Sequence, residues 1–221
     1  MIPLLERVGF VVAVIEMGTS KLDGLCSWSP VDDRPYILLA SDKMSFARRQ
    51  MDAAHEMAHA VLHRNVSADE LKRNLKVIET QAFRLASAFL LPSTTFSVEM
   101  RAPSLDRLVV AKERWRVSVK AQIKRLADLE AIPGEYATHL YKIYSAKGWS
   151  KEEPFDRQWV PSQPRMLHDA LHLIVDEGVR SKADLMAVEF TVSPGDVENL
   201  TGLPAGWFSR ERATVLQLKP R

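Results

Sequence analysis

Strand-forming sequence is confined to the first forty residues of this chain. An apolar, β-branched run at 10–15 predicts a buried strand, and shorter extended segments at 25–28 and 36–39 predict two more. From Ser45 onward the apolar residues recur with helical spacing and strand signals nearly vanish. The sequence therefore predicts an α+β fold, in which a small N-terminal sheet of about three strands packs on a mainly helical body.

The helical part of the sequence divides at a segment rich in proline. Residues 151–164 contain three prolines and several charges without periodicity, which is typical of a linker or an extended wrap. This segment separates a predicted domain at 1–150 from a small helical C-terminal domain at 165–221, a candidate sensory domain. The predicted helices are 46–64, 68–91, 105–117, 118–129, 135–147, 166–177, 182–190 and 194–200, with Ser118 as a helix N-cap.

Charge and cysteine content limit the cellular setting. The formal net charge is +2, which is too small to indicate nucleic-acid binding by itself. The single cysteine, Cys26, excludes an internal disulfide and favours the cytosol. The N-terminus lacks a basic region, and the longest early apolar stretch, 8–15, is far too short to span a bilayer. We expect a cytoplasmic protein with no membrane segment.

One motif indicates metal chemistry. The sequence H-E-M-A-H at 55–59 lies within 51–62, a stretch without proline or glycine. Both histidines therefore project from one helix face, one turn apart, where they can share a metal ion. The sequence contains no G-x-S-x-G elbow, no P-loop and no G-x-G-x-x-G fingerprint, so it gives no support to a serine hydrolase or a nucleotide-binding enzyme.

A hydrolytic zinc site needs a third protein ligand and one open position. Glu79 is the candidate, because it lies beside the apolar stripe of the next predicted helix, where a carboxylate needs a partner to offset its desolvation. Glu56 follows His55 directly, so it lies near the metal but does not share the helix face of the two histidines. There it can accept a proton from the attacking water. The predicted ligands of one Zn²⁺ per chain are thus His55, His59 and Glu79. The predicted general base is Glu56.

The motif and its surroundings resemble the ImmA/IrrE metallopeptidases, which are gluzincin-like regulatory proteases of bacteria and their mobile elements. The resemblance rests on H-E-M-A-H followed by Leu-His, and on E-x-x-A-x-x-x-A-x-x-x-L-L-P at 79–92. It extends with lower specificity to about Pro154. The chain departs from the usual pattern at Ala58, where the family has glycine, and at Phe83, where asparagine is common. Neither departure removes a ligand.

The resemblance also implies a fold and a function. It implies a zincin-like domain in which the two motif histidines and the downstream glutamate bind zinc and the motif glutamate is catalytic. It implies limited proteolysis of a helix-turn-helix transcriptional repressor in a DNA-damage or phage response. No helix-turn-helix precedes the predicted sheet, so we expect the repressor to be a separate protein. The alternative is a non-catalytic, metal-stabilised module that binds a repressor or nucleic acid, and a fourth protein ligand would favour it because structural zinc sites are closed.

Two features of the predicted sheet concern access to the metal. Cys26 lies in the sheet that flanks the cleft in zinc peptidases of this shape. Its thiolate is a candidate inhibitory fourth ligand, although an inert core cysteine is the plainer interpretation. The second feature is a strand edge that receives the substrate backbone. The residues predicted to form that edge are Tyr36, Ile37, Leu38 and Leu39.

A basic stretch follows the motif region. Residues 101–125 contain eight basic side chains but only two acidic ones, Asp106 and Glu113. A basic groove with an aromatic platform binds single-stranded nucleic acid without sequence preference, so single-stranded DNA is a candidate activator. A solvated helix face is the alternative. The candidate binding residues are Lys112, Arg114, Trp115, Arg116, Lys120, Lys124 and Arg125.

Overall fold

The predicted α+β architecture is confirmed in a computed structural model, which describes residues 1–19, 22–42 and 45–209. A three-stranded sheet lies at the N-terminus and the elements after it are helical. The chain divides into two compact units, Met1–Gln163 and Pro164–Arg221. Residues 210–221, the end of the predicted C-terminal domain, lie outside the described residues.

The sheet consists of β1 (Val11–Ile15), β2 (Gly24–Trp28) and β3 (Pro35–Ala40), in the order β1-β3-β2. Strand β3 pairs in parallel with β1 and antiparallel with β2, so both of its sides are occupied. The prediction that Tyr36, Ile37, Leu38 and Leu39 form a receiving edge is therefore wrong. The apolar character of this segment reflects a central position, since Ile37 and Leu39 are fully buried. Among the described strands, β1 and β2 form the two edges of the sheet, and β2 packs against the helix that follows β3.

Two helices pack against this sheet. Helix α1 (Ile2–Arg7) precedes β1, and α2 (Phe46–Leu62) follows β3. Ser45 caps the N-terminus of α2, since its hydroxyl accepts a hydrogen bond from the backbone N–H of Arg48. Alanines on its buried face allow close approach of its neighbours, and one of them joins the apolar cluster of the sheet. That cluster contains Ile2, Leu5, Val12, Ile37, Leu39 and Ala53.

Five further helices complete the first unit. They are α3 (Ala68–Leu90), α4 (Ser93–Glu99), α5 (Leu105–Trp115), α6 (Val119–Asp128) and α7 (Gly134–Ala146). The predicted N-cap at Ser118 is confirmed, because its hydroxyl accepts from the N–H of Ala121. Helix α4 was not predicted, since its sequence S-T-T-F-S-V-E is poor in strong helix formers. Its one aromatic residue, Phe96, is fully buried in the helical core.

The second unit contains α8 (Met166–Asp176), α9 (Lys182–Asp184) and α10 (Pro194–Thr201). The predicted helix at 182–190 is in fact the short α9 followed by a π-helical turn, Leu185–Glu189. This unit has its own apolar cluster, formed by Leu171, Leu185, Val197, Leu203 and Trp207. No helix within the described part of the chain is long and apolar enough to cross a membrane.

A buried ion pair ties the proline-rich segment to the helices of the first unit. The fully buried Lys112 ammonium donates to Glu153 at 2.9 Å and to Asp156 at 2.8 Å. Glu153 also accepts from the backbone N–H groups of Val119 and Lys120, the first two residues of α6. The carboxylate thus caps α6 while it neutralises the lysine.

We expect Lys112→Met to destabilise the protein by about 3 to 5 kcal/mol, because it leaves the buried Glu153 and the partly buried Asp156 without their cation. Urea unfolding followed by tryptophan fluorescence measures this change. Lys72→Met, at an exposed position on α3, is the matched control and should change the free energy of unfolding by less than about 0.5 kcal/mol. Equal stability of the two variants would contradict a structural role for the buried pair.

Candidate metal centre

The predicted ligands meet between α2 and α3. The Nε2 atoms of His55 and His59 lie 3.0 Å apart, as expected for histidines one helical turn apart. Glu79, on α3, places its Oε2 3.1 Å from Nε2 of His55 and its Oε1 3.4 Å from Nε2 of His59. Among the described residues, these three form the one cluster of metal-ligand side chains.

The geometry and charge of this cluster fit a tetrahedral metal ion. Histidine nitrogens and carboxylate oxygens bind zinc at about 2.0 to 2.2 Å, which places the ligand atoms of a tetrahedral site about 3.3 to 3.5 Å apart. The observed separations are close to this spacing. Burial lowers the pKa values of His55 and His59, which favours the neutral imidazoles that metals require. A cation placed among these atoms interacts favourably with both nitrogens and with the carboxylate.

A hydrogen-bonded chain extends from His59 away from the metal position. Nδ1 of His59 lies 3.1 Å from Nδ1 of His63, and Nε2 of His63 lies 3.0 Å from Oε1 of Gln81. A metal on Nε2 of His59 leaves the proton on Nδ1, so His59 then donates to His63, which donates in turn to the Gln81 carbonyl. The sequence gave no signal for Gln81, which lies 18 residues after His63.

His55 is positioned by packing instead. Its Nδ1 is buried and has no hydrogen-bond partner among the described residues. Its ring contacts the ring of Phe83, with the centroids 4.1 Å apart, and the ring of His59 at 4.6 Å. Phe83, where the related family commonly has asparagine, thus forms an apolar wall against one ligand. Ala58, the other departure, is fully buried without disturbing the helix.

The Glu56 carboxylate lies in a confined position between α2 and β2. Burial, together with the nearby carboxylates of Glu79 and Asp52, raises the pKa of Glu56 to about 8. A bound divalent cation acts in the opposite direction and favours the ionised carboxylate. Gly24 leaves room for this side chain, since a Cβ there would lie 2.9 Å from Oε1 of Glu56 and 3.1 Å from the Leu38 carbonyl. The need for glycine at this position had no sequence signal.

A cleft of about 810 Å³ exposes the cluster along strand β2. Contacts with α2 flank β2: Asp23, the residue before the strand, pairs with Arg48 at 2.8 Å, and the indole of Trp28, the last residue of the strand, donates to the Ala60 carbonyl at 3.0 Å. These contacts fix the distance between the strand edge and the histidines. All five residues of β2 line the cleft.

Cys26 lies in β2 but does not join the ligand cluster. It packs against the apolar cluster between the sheet and α2. Burial, reinforced by the Glu56 carboxylate, raises the pKa of its thiol to about 12, which disfavours the thiolate needed to bind a metal. The inhibitory role of Cys26 therefore stays a prediction, and the structure favours the core interpretation.

The predicted nucleic-acid groove is not formed as expected. Lys112 is fully buried with its carboxylates, and the buried Arg125 donates to the Leu91 carbonyl, so these two residues were wrongly assigned to a binding surface. Trp115 is half-buried, and its indole N–H donates to Glu99. Some of the basic side chains of the stretch 101–125 are therefore buried and do not contribute to a binding surface. The candidates whose side chains stay exposed are Arg114, Arg116, Lys120 and Lys124.

Comparison with known proteins agrees with this geometry. Residues 5–127, more than half of the chain, match the model of the Peptidase_M78 family, described as the IrrE N-terminal-like domain. The match includes the sheet, α2, α3 and all three candidate ligands. A search of curated proteins finds no match.

We expect His63→Phe to weaken metal binding about 10- to 100-fold, because it keeps the ring but removes the acceptor for His59. Competition with a chromophoric chelator measures the affinity, with Zn²⁺ as the probe. His139→Phe, which changes an exposed histidine of α7, is the control and should bind Zn²⁺ like the parent. Unchanged affinity in His63→Phe would show that the chain to Gln81 does not support the site.

Proposed function

Because the chain belongs to the Peptidase_M78 family of metallopeptidases, we propose that it is a zinc-dependent endopeptidase that performs limited proteolysis of a helix-turn-helix transcriptional repressor in a DNA-damage or phage response. One observation carries the catalytic part of this proposal. Three ligands, two imidazoles and one carboxylate, converge at the wall of an open cleft, with a second carboxylate, that of Glu56, confined beside them.

Zinc is the metal that this donor set suits best. Two imidazoles and one carboxylate with a fourth position left open are the ligands of catalytic zinc in other peptidases. Zinc, when bound, supplies a Lewis acid that polarises the scissile carbonyl. His55, His59 and Glu79 would hold it, and the contacts of Phe83 and His63 keep the two imidazoles in place.

Glu56 is the proposed general base. It lines the cleft beside the ligands but does not belong to their cluster, so its carboxylate is available to accept a proton from the attacking water. The same group can return that proton to the leaving amine. The close approach of Gly24 limits the positions that the carboxylate can adopt, which helps to orient it.

Strand β2 is the proposed site of substrate backbone binding. It is the sheet edge that lines the cleft, and an extended peptide can add to such an edge through main-chain hydrogen bonds. This assignment replaces Tyr36–Leu39, whose hydrogen-bonding groups are engaged with β1 and β2.

The non-catalytic alternative finds less support. A structural zinc site is closed by four protein ligands, whereas the described residues bring three together at a cleft. The repressor substrate and its pathway rest on the resemblance to ImmA/IrrE proteases. They are tested by incubating the zinc-loaded protein with the product of the neighbouring regulator gene, with and without single-stranded DNA, and analysing the fragments by mass spectrometry.

We expect Glu56→Gln to retain zinc and fold but to lower the rate of repressor cleavage by about 10²- to 10⁴-fold, because the amide cannot accept the proton. Metal content and circular dichroism verify that only the chemistry has changed. Glu70→Gln, at an exposed position in the first turn of α3, is the matched control and should cleave at the parent rate. Cleavage by Glu56→Gln at the parent rate would rule out this mechanism.

A further inference from the structure

A second cavity adjoins the metal centre. It has a volume of about 510 Å³ and lies among residues of α2, α3, α6 and α7. Glu79 and Phe83 line both this cavity and the cleft, so the two spaces meet at a metal ligand. We call this cavity the α3–α6 groove.

The surface of the α3–α6 groove is mainly apolar. Met51, Phe83, Ala121 and Tyr141 contribute to its lining. Phe83 is about half exposed, although its ring contacts that of His55. The groove volume lies within the range of about 300 to 1,000 Å³ that is typical of ligand-binding cavities. An apolar side chain of a bound polypeptide therefore has both room and partners here.

Basic side chains surround this apolar lining. Lys76, Arg84, Lys120 and Lys124 all contribute to the groove and are exposed. Lys124 pairs with Asp128. For Lys76, Arg84 and Lys120, no carboxylate oxygen of residues 1–19, 22–42 or 45–209 lies within ion-pair distance. Glu79, the other acidic residue of the lining, is one of the three proposed metal ligands. The groove therefore offers three cations without acidic partners.

We propose that the α3–α6 groove binds the part of the substrate that continues past the metal on one side of the scissile bond, and that it selects an apolar residue flanked by acidic residues. This inference rests on the proposed endopeptidase function. An extended polypeptide on β2 that crosses the metal ligands reaches Glu79 and Phe83, where the groove begins. The apolar lining selects the central side chain, and the three cations select its acidic neighbours.

Single-stranded nucleic acid is the competing occupant of a basic groove. Both nucleic acid and an acidic peptide are anionic, so the cations alone do not separate them, but the groove shares two lining residues with the cleft of the candidate peptidase centre. The groove also offers mainly apolar surface, whereas phosphate backbones require polar and cationic partners. These features favour an acidic peptide.

The test measures binding without cleavage, in the full-length, zinc-loaded protein carrying Glu56→Gln. Three fluorescein-labelled peptides share a central Leu-Phe pair that is flanked by glutamate, glutamine or lysine, and labelled oligo(dT) is the fourth probe. Fluorescence anisotropy at low salt gives the affinities. We expect the glutamate peptide to bind at least about tenfold more tightly than the lysine peptide, with the difference reduced at high salt.

Charge reversal then locates the binding surface. Adding Arg84→Glu and Lys120→Glu should reverse the preference for the glutamate peptide over the lysine peptide. The control, Lys72→Glu with Arg73→Glu, makes the same change of charge at exposed positions of α3 that line neither cavity, and should retain the preference.

Several outcomes overturn the proposal: no binding of the glutamate peptide, equal affinity for all three peptides, or equal effects of the two double variants. Tighter binding of oligo(dT) that only the groove variant abolishes would assign the groove to nucleic acid instead. Because the Glu56→Gln protein does not need to cleave, these results are independent of the repressor assay. Repressor cleavage by the parent protein together with no charge preference here would reject the groove and retain the proposed function.

Discussion

The candidate site depends on one close approach, in which two imidazoles on α2 face a carboxylate on α3. Burial disfavours the charged forms of both histidines, and their neutral nitrogens lie within 3.4 Å of the Glu79 oxygens and of each other. Such a cluster is stabilised when a cation joins it. The alanines of α2 allow α3 and the sheet to approach closely enough to form the cluster and its cleft.

The sequence predicted the elements that depend on periodic or motif signals. Helical spacing located α2 and α3, and H-E-M-A-H with the downstream glutamate identified the residues that the structure brings together. Strand order could not be predicted, because an apolar strand is equally compatible with a central or an edge position until its partners are known. The central position of β3 therefore changed the assignment of the substrate edge to β2. The roles of Gly24 and Gln81 depend on contacts between residues distant in sequence, which local patterns do not record.

The distribution of charge along the sequence was the least reliable guide to which charged side chains lie on the surface. The basic stretch at 101–125 suggested a continuous surface, but a lysine can serve equally well inside a fold when carboxylates meet it. Lys112 does so, and its partners come from the proline-rich segment, about forty residues away. The cations that stay exposed on α6 join others from α3 beside the metal centre. The distribution of charge that matters for binding was therefore set by tertiary packing and not by sequence proximity.

We propose that three side chains, those of His55, His59 and Glu79, hold a catalytic zinc ion and leave one coordination position open. A crystal structure of the zinc-loaded protein, with anomalous diffraction measured at the zinc absorption edge, decides this. We expect one zinc per chain, bound by Nε2 of His55, Nε2 of His59 and the Glu79 carboxylate, with the remaining position facing the cleft along β2. A zinc ion closed by a fourth protein side chain such as Cys26, or bound elsewhere in the chain, would contradict it.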